Sequence, residues 1–253
     1  MRAACYVGRI RLMCSHYQAE KRRAMYEQRF GIKLPPEWEP PRGSGGLHVY
    51  PTQFAPIVRR PPERESGDEA VPKFEVVEAR FGLLPGFAKE VKYGTRTYNA
   101  RSETVATLAS FKHAWAKARH CIVPCEAIYE PDWRTGTHIP TRFTAADGGT
   151  LGVAGLWQPW KSPEGEWVNT FTMLTLNADD HELMKHMHRP DPKRPPEMQD
   201  KRMVVILPQG LYEAWLDAPA SESVDFIRQY PADRLLATPE PPPPKKGETA
   251  ALR

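Results

Sequence analysis

The fold is decided in residues 139–176, IPTRFTAADGGTLGVAGLWQPWKSPEGEWVNTFTMLTL, where three runs have the composition of β-strands. These runs are 139–144, 151–157 and 171–176, and each combines apolar residues with the β-branched or aromatic residues that strands favour. Clusters of Gly, Asp, Ser and Pro separate the runs, which is typical of turns and loops. The stretch therefore predicts a core built mainly of β-structure.

Further strands and helices are predicted on both sides of this stretch. Strands are expected at 74–84, 121–123 and 203–207. Helices are expected at 16–30, at 102–118 with Ser102 as cap, from Asp179 with Glu182 in a capping-box arrangement, and at 208–215. Strands and helices interleave without regular βαβ units. We therefore expect one α+β domain with a mainly antiparallel sheet.

Composition limits the class of protein. The chain has 253 residues, a formal net charge of +4 and 40% hydrophobic residues, which suits a sizeable core and permits a nucleic-acid partner without requiring one. It contains neither an apolar run of about 18 residues nor a secretory signal pattern. We expect a soluble, cytoplasmic protein that does not contact a membrane.

The domain boundaries follow from composition. Residues 1–12 are predicted to be an N-terminal extension, either a misassigned start before Met13 or a leader that is removed, and 13–236 the folded domain. Residues 237–253, rich in Pro and Lys, are predicted to be a disordered tail. Polar, Pro-rich loops are expected at 34–46, 59–73 and 189–200.

The four cysteines are Cys5, Cys14, Cys121 and Cys125. In a cytoplasmic chain they are expected to be thiols rather than a disulfide framework. His120, Cys121 and Cys125 raise the alternative of a zinc site. No second ligand pair with metal spacing follows, so we favour core positions and expect neither a metal nor a cofactor.

Several motifs occur together in a fixed order. They are Met13-Cys14, PTQ at 51–53, FGLLP at 81–85, NARSET at 99–104, CIVP at 121–124, Tyr129-Glu130, AGLW at 154–157, TFTMLT at 170–175, Met187-His188, Lys201-Arg202-Met203 and WL at 215–216. With these motifs the chain resembles the SRAP family, the SOS-response-associated peptidases or abasic-site processing proteins, from about 14 to 216. The resemblance implies a single SRAP-like domain with a barrel-like β core flanked by helices. It also implies single-stranded DNA containing abasic sites as the partner of a monomer.

The resemblance makes Cys14 the nucleophile. Its α-amine, with a pKa of about 7.7–8.0, would form a Schiff base with the aldehyde of an abasic site. The thiol of the same residue would then close a five-membered thiazolidine ring, an intramolecular step that is strongly favoured. This chemistry requires Cys14 to be the first residue of the mature chain.

The resemblance assigns three further catalytic residues. Glu130 matches the acid/base carboxylate, Asn99 the residue that holds the terminal amine or the sugar, and His188 the histidine that assists Schiff-base chemistry. Without the motifs these would be a strand-end Glu, a turn Asn and a surface His. Residues 189–201 separate His188 from Arg202, where the family has almost no spacing, which leaves His186 as an alternative.

Arg101 and Arg202 match family positions near DNA phosphates, which a guanidinium can bind bidentately. Phe81 stands where the family usually has Trp and could stack on a base, although it could equally be a core residue. His16 and His48 replace the usual Arg and Asn of the family pattern. Two other functions remain open. One is a thiol peptidase that uses Cys14, Glu130 and His188, either on protein substrates or only on its own N-terminus. The other is a non-covalent single-stranded DNA binding module.

Overall fold

The computed structural model describes residues 15–40 and 47–240, apart from the side chains of 64 and 65. Within these ranges the chain forms short helices around one large sheet. The helices are α1 (Arg23–Phe30), α2 (Lys112–Ala116) and α3 (Tyr212–Asp217). The strands are β1 (His16–Ala19), β2 (His48–Val49), β3 (Phe54–Arg59), β4 (Glu75–Phe81), β5 (Asn99–Arg101), β6 (His120–Asp132), β7 (Ile139–Ala145), β8 (Leu151–Lys161), β9 (Trp167–Asn177), β10 (Arg202–Val204), β11 (Ile206–Leu207) and β12 (Leu235–Pro239).

Five strands close into a barrel. β3 pairs with β4, β4 with β9, β9 with β8, β8 with β6, and β6 returns to β3. Only the β4–β9 pairing in this ring is parallel. The α+β class and the mainly antiparallel, barrel-like core are therefore confirmed, and closure leaves the ring without a free edge.

The barrel interior is filled by apolar side chains of its strands. Ile57, Phe81, Ile122 and Phe171 are all fully buried. The rings of Phe81 and Phe171 stack with their centroids 5.1 Å apart, across the parallel β4–β9 pair. Burial of such apolar side chains is the main force that holds the two strands together.

The chain leaves β4 through a glycine that no other residue could replace without strain. Gly82 has a φ of +117°, outside the range of ordinary L-residues, and a Cβ there would lie 2.5 Å from the carbonyl oxygen of Gly94. The turn at 82–85 therefore depends on two backbone segments in direct contact.

Three predicted elements differ from the structure. The predicted helix 16–30 is wrong at its start, because His16–Ala19 form β1 and only Arg23–Phe30 are helical. The predicted helix 102–118 shrinks to Lys112–Ala116, and successive turns occupy 102–111. No helix starts at Asp179, whose carboxylate instead accepts the backbone N–H groups of residues 200 and 201.

The predicted C-terminal tail also needs correction. Residues 237–239 belong to β12, which pairs with β7, so they are ordered strand rather than tail. Residues 241–253 lie outside the described part of the chain, as does the predicted extension 1–12.

Cys121 and Cys125 are buried free thiols in the core, and burial raises the pKa of both. His120 forms a 2.8 Å contact with the hydroxyl of Ser223, not with either cysteine. The core interpretation of these residues therefore fits the structure. Cys5 lies outside the described residues. Among the described helices, none is both long and apolar enough to cross a membrane.

Candidate functional site

Glu130 and His188 meet in the interior of the protein. The imidazole Nε2 of His188 lies 2.8 Å from Oε2 of Glu130, and the two side chains are only 4% and 1% exposed. Apart from this contact, neither atom has a hydrogen-bond partner among the described residues. Buried polar atoms are normally paired, so this pair is poised to accept a further polar group.

The fold brings Glu130 to this position on the last part of β6. Beyond the segment of β6 that pairs with β8, Glu130 lies opposite Thr141 of β7. Its neighbour Tyr129 lies opposite His16, the first residue of β1. The chain therefore enters the described fold directly beside the Glu130 end of β6.

His188 is held by its backbone. Its N–H donates to the carbonyl of Pro131 at 2.7 Å, next to Glu130 in sequence. Its φ of +60° is left-handed, an unusual conformation for a residue with a Cβ. Such backbone strain is found where a site constrains a side chain.

His186, the alternative histidine, does not reach Glu130. It lies half-buried beside Asp132 and Arg134, and burial is the largest cause that lowers its pKa. The geometry therefore favours His188 as the partner of Glu130.

Asn99 begins β5 and pairs with Met173 of β9, so it lies on the barrel wall rather than in a loop. It is 5% exposed. Cys14, the predicted nucleophile, lies outside the described residues; Ser15 is the first residue that the structure describes.

Arg101 and Arg202 have different environments. The side chain of Arg101 is 43% exposed, and one guanidinium nitrogen lies 2.8 Å from Oδ2 of Asp200. Arg202 is 3% exposed and makes two 2.8 Å hydrogen bonds to the Glu103 carboxylate, which lower the pKa of Glu103. A phosphate could approach Arg101, whereas Arg202 is already neutralised and enclosed. Arg202 therefore forms a structural ion pair in this fold, and its predicted contact with DNA stays a prediction.

Phe81 is likewise a core residue. It is fully buried, and its ring packs against Tyr17, Tyr98 and Phe171. The buried ring favours the core alternative for Phe81, and its predicted stacking on a base stays a prediction.

An aromatic stack that the sequence did not predict lies beside the site. The imidazole of His16 lies between the rings of Tyr50 and Tyr129, at centroid distances of 4.4 and 4.2 Å, and its Nε2 is 2.8 Å from Nδ1 of His48. These residues line an open pocket of about 390 Å³. Burial and the neighbouring His48 lower the pKa of His16 to about 4, so this ring is neutral at pH 7. The prediction that 16–30 was helical concealed the stack.

Comparisons with known proteins agree with this architecture. The family model described as SOS response associated peptidase (SRAP) matches residues 13–239. A protein from Bordetella bronchiseptica with a known crystal structure is 43% identical, with a TM-score of 0.76 over 90% of this chain and 99% of that one. A protein from Bacteroides thetaiotaomicron shares the fold at 20% identity, with a TM-score of 0.66 over 89% of this chain and 91% of that one.

Curated relatives are similar over part or most of the chain. The abasic site processing protein YoqW of Bacillus subtilis is 32% identical over 165 residues, which cover 62% of this chain and 66% of that protein. The abasic site processing protein HMCES of Gallus gallus is 25% identical over 94% of this chain and 71% of its own length. The match of the family model over nearly the whole described chain decides the assignment: this protein belongs to the SOS response associated peptidase (SRAP) family.

Proposed function

We propose that this protein binds single-stranded DNA at abasic sites and captures them covalently through Cys14, protecting them in the DNA-damage response. Two relatives named abasic site processing proteins support the reaction class. The observation that carries the proposal is the buried contact between Glu130 and His188, two proton-transfer groups with unfilled hydrogen-bonding capacity.

The position of this pair relative to β1 supports Cys14 as its partner. His16 lies opposite Tyr129, the neighbour of Glu130. Cys14 is two residues before His16 in sequence, and two residues of chain span at most about 7 Å. A reactive group at that distance from β1 can meet the carboxylate of Glu130.

The proposed chemistry is balanced without a co-reactant. The neutral amine of Cys14 adds to the aldehyde carbon, and the resulting carbinolamine loses water to give an imine. The thiol sulfur then adds to the imine carbon while the thiol proton moves to nitrogen, which closes the thiazolidine. Glu130 takes the proton from the attacking amine and returns it to the departing hydroxyl, and His188 relays protons beside it.

Other side chains would hold the substrate. Asn99, buried on β5, is proposed to orient the amine or the sugar, and Arg101 to bind a backbone phosphate with its exposed guanidinium. We propose that the protein acts in the cytoplasm. We also propose that it is a monomer, which light scattering of the free protein and of its DNA complex would check.

A crosslinking assay tests the proposal. Protein that starts at Cys14 is mixed with a single-stranded oligonucleotide that carries one abasic site, and products are separated under denaturing conditions. We expect a stable protein–DNA species that is lost in Cys14→Ala and strongly reduced in Glu130→Gln. Cys121→Ala, which removes a buried core thiol from the same protein starting at Cys14, is the matched control and should crosslink like the wild type.

Two outcomes would refute the proposal: no denaturation-resistant species with the wild type, or equal crosslinking by Cys14→Ala. An oligonucleotide with a reduced abasic site, which has no aldehyde, should also fail to react. Non-covalent binding alone would instead give affinity that depends on salt but not on Cys14.

The mature N-terminus is a separate test of the same proposal. Because the amine of Cys14 must be free, intact-mass measurement should find a chain that begins at Cys14. Removal of residues 1–13 that stops in Glu130→Gln would indicate self-processing, the peptidase reaction that the family description suggests.

A further inference from the structure

Lys201 is a buried cation that contacts the backbone of the candidate site. It is 6% exposed, and its Nζ donates to the carbonyl oxygens of Met187 and His188, both at 2.7 Å. Lysine is rarely buried unless its charge is paired, and hydrogen bonds from an ammonium group are stronger than neutral ones. A buried ammonium with two short hydrogen bonds therefore indicates that Lys201 holds this part of the backbone in place.

The two carbonyls belong to the segment that orients the histidine. His188 has its N–H fixed by Pro131 and its carbonyl fixed by Lys201, so both sides of its left-handed backbone are held. Met187 also forms a bridge with Asp132 of β6. With the backbone held in this way, the imidazole is directed at Glu130.

Lys201 is itself anchored to the barrel. Its backbone N–H donates to Oδ1 of Asp179 at 2.7 Å, and its carbonyl accepts the N–H of Ala178 at 2.7 Å, just beyond the end of β9. The next residue, Arg202, begins β10, which also pairs with β9. The lysine therefore connects the barrel to the backbone of His188.

The loop between His188 and Lys201 is closed by hydrogen bonds within the loop itself. The side-chain oxygen of Gln199 accepts the N–H of Asp191 at 2.7 Å, and its amide nitrogen donates to the carbonyls of Arg194 and Pro195 at 2.9 and 3.0 Å. These contacts hold 191–199 together without using His188. The histidine is therefore positioned by the hydrogen bonds that Lys201 makes across the base of the loop, and not by the rest of the loop.

We propose that Lys201 is a positioning residue that holds His188 against Glu130 by fastening the carbonyls of Met187 and His188 to the end of β9. Its role in the reaction rests on the proposed function; its effect on His188 does not. Burial lowers the pKa of the Lys201 ammonium from its ordinary value, and the nearby Asp179 acts in the opposite direction.

The first test separates binding from reaction. Lys201→Met keeps the length of the side chain and removes its donors, Lys201→Arg restores a cation with donors, and Lys193→Met is the control on the exposed part of the same loop. Single-turnover crosslinking is measured against DNA concentration. We expect Lys201→Met to lower the saturating rate at least about tenfold, with little change in the half-saturating concentration, and Lys201→Arg to recover part of the rate.

The second test observes the imidazole of His188 directly by NMR and requires no DNA. In ¹⁵N-histidine spectra, the ring signals of His188 should change in Lys201→Met and stay unchanged in Lys193→Met. If Lys201→Met does not fold, Lys201→Gln, which keeps an amide donor, replaces it in both tests.

The outcomes distinguish the two proposals. A saturating rate in Lys201→Met equal to that of Lys193→Met, or an unchanged His188 spectrum, would overturn the role of Lys201. If the wild type forms no crosslink, the proposed function fails, and the histidine spectra alone decide whether Lys201 positions His188.

Discussion

Acid should destabilise this protein through one buried imidazole at the start of β6. His120 is 3% exposed, its ring stacks on Trp215 with centroids 3.9 Å apart, and its Nε2 lies 2.8 Å from the hydroxyl of Ser223. Burial lowers the pKa of His120 from 6.5 to about 4. Between these two pKa values the imidazole of His120 therefore stays neutral in the folded protein and binds a proton in the unfolded chain.

The size of the effect follows from the difference between the two pKa values. Above pH 6.5 both states are neutral at this residue, and its contribution to stability is fully present. Between pH 6.5 and 4 the unfolded state binds the proton and the folded state does not, so the free energy of unfolding falls. A difference of this size corresponds to about 3 kcal/mol, an order-of-magnitude figure, with no further loss below pH 4.

Urea unfolding of the wild type and of His120→Gln, measured from pH 8 to pH 4, checks this value. Glutamine does not titrate, so the difference in unfolding free energy between the proteins should change by about 3 kcal/mol in favour of the variant as pH falls. Other groups, including His16 with its similarly lowered pKa, cancel in this difference. A difference that stays constant from pH 7 to pH 4 would refute the reasoning.

Three further predictions concern the barrel and the proposed contact of Arg101 with DNA. Phe81→Ala should lower the unfolding free energy by about 3–5 kcal/mol in urea titrations, with the DNA affinity of folded protein unchanged; a selective loss of affinity would contradict burial of the ring. Gly82→Ala should cost more than about 2 kcal/mol, because the new Cβ would meet Gly94, whereas Gly86→Ala, with open space around it, should cost under about 0.5 kcal/mol; equal melting temperatures would be inconsistent with this contact. Arg101→Gln should reduce the salt dependence of single-stranded DNA binding by about 0.7 in log–log slope, and an unchanged slope would exclude a phosphate contact.

The strands were predictable where apolar runs are long and separated by turn residues. The runs 151–157 and 171–176 became parts of β8 and β9, because such runs can only be buried in the interior. The strand His16–Ala19 was missed because polar and charged residues follow it, and its pairing with β2 and β6 joins distant parts of the chain. The local sequence pattern does not indicate which distant strands β1 pairs with.

The same limit applies to the site. The motifs placed Glu130 and His188 in one reaction, and the structure brings them to 2.8 Å. The motifs could not show that Glu103 already neutralises Arg202, or that Lys201 donates to two carbonyls more than ten residues earlier. Both depend on which charged groups the fold encloses together, which sequence spacing does not specify.

The closed loop at 191–199 makes this region a favourable place for engineering. Its contacts are internal and its base is tied across Lys201, so changes at its tip should be mechanically isolated from the histidine. A fluorophore at the exposed Lys193 would then lie outside the buried contact of Glu130 and His188. A binding event could be followed optically in a protein whose reactive centre is chemically unaltered.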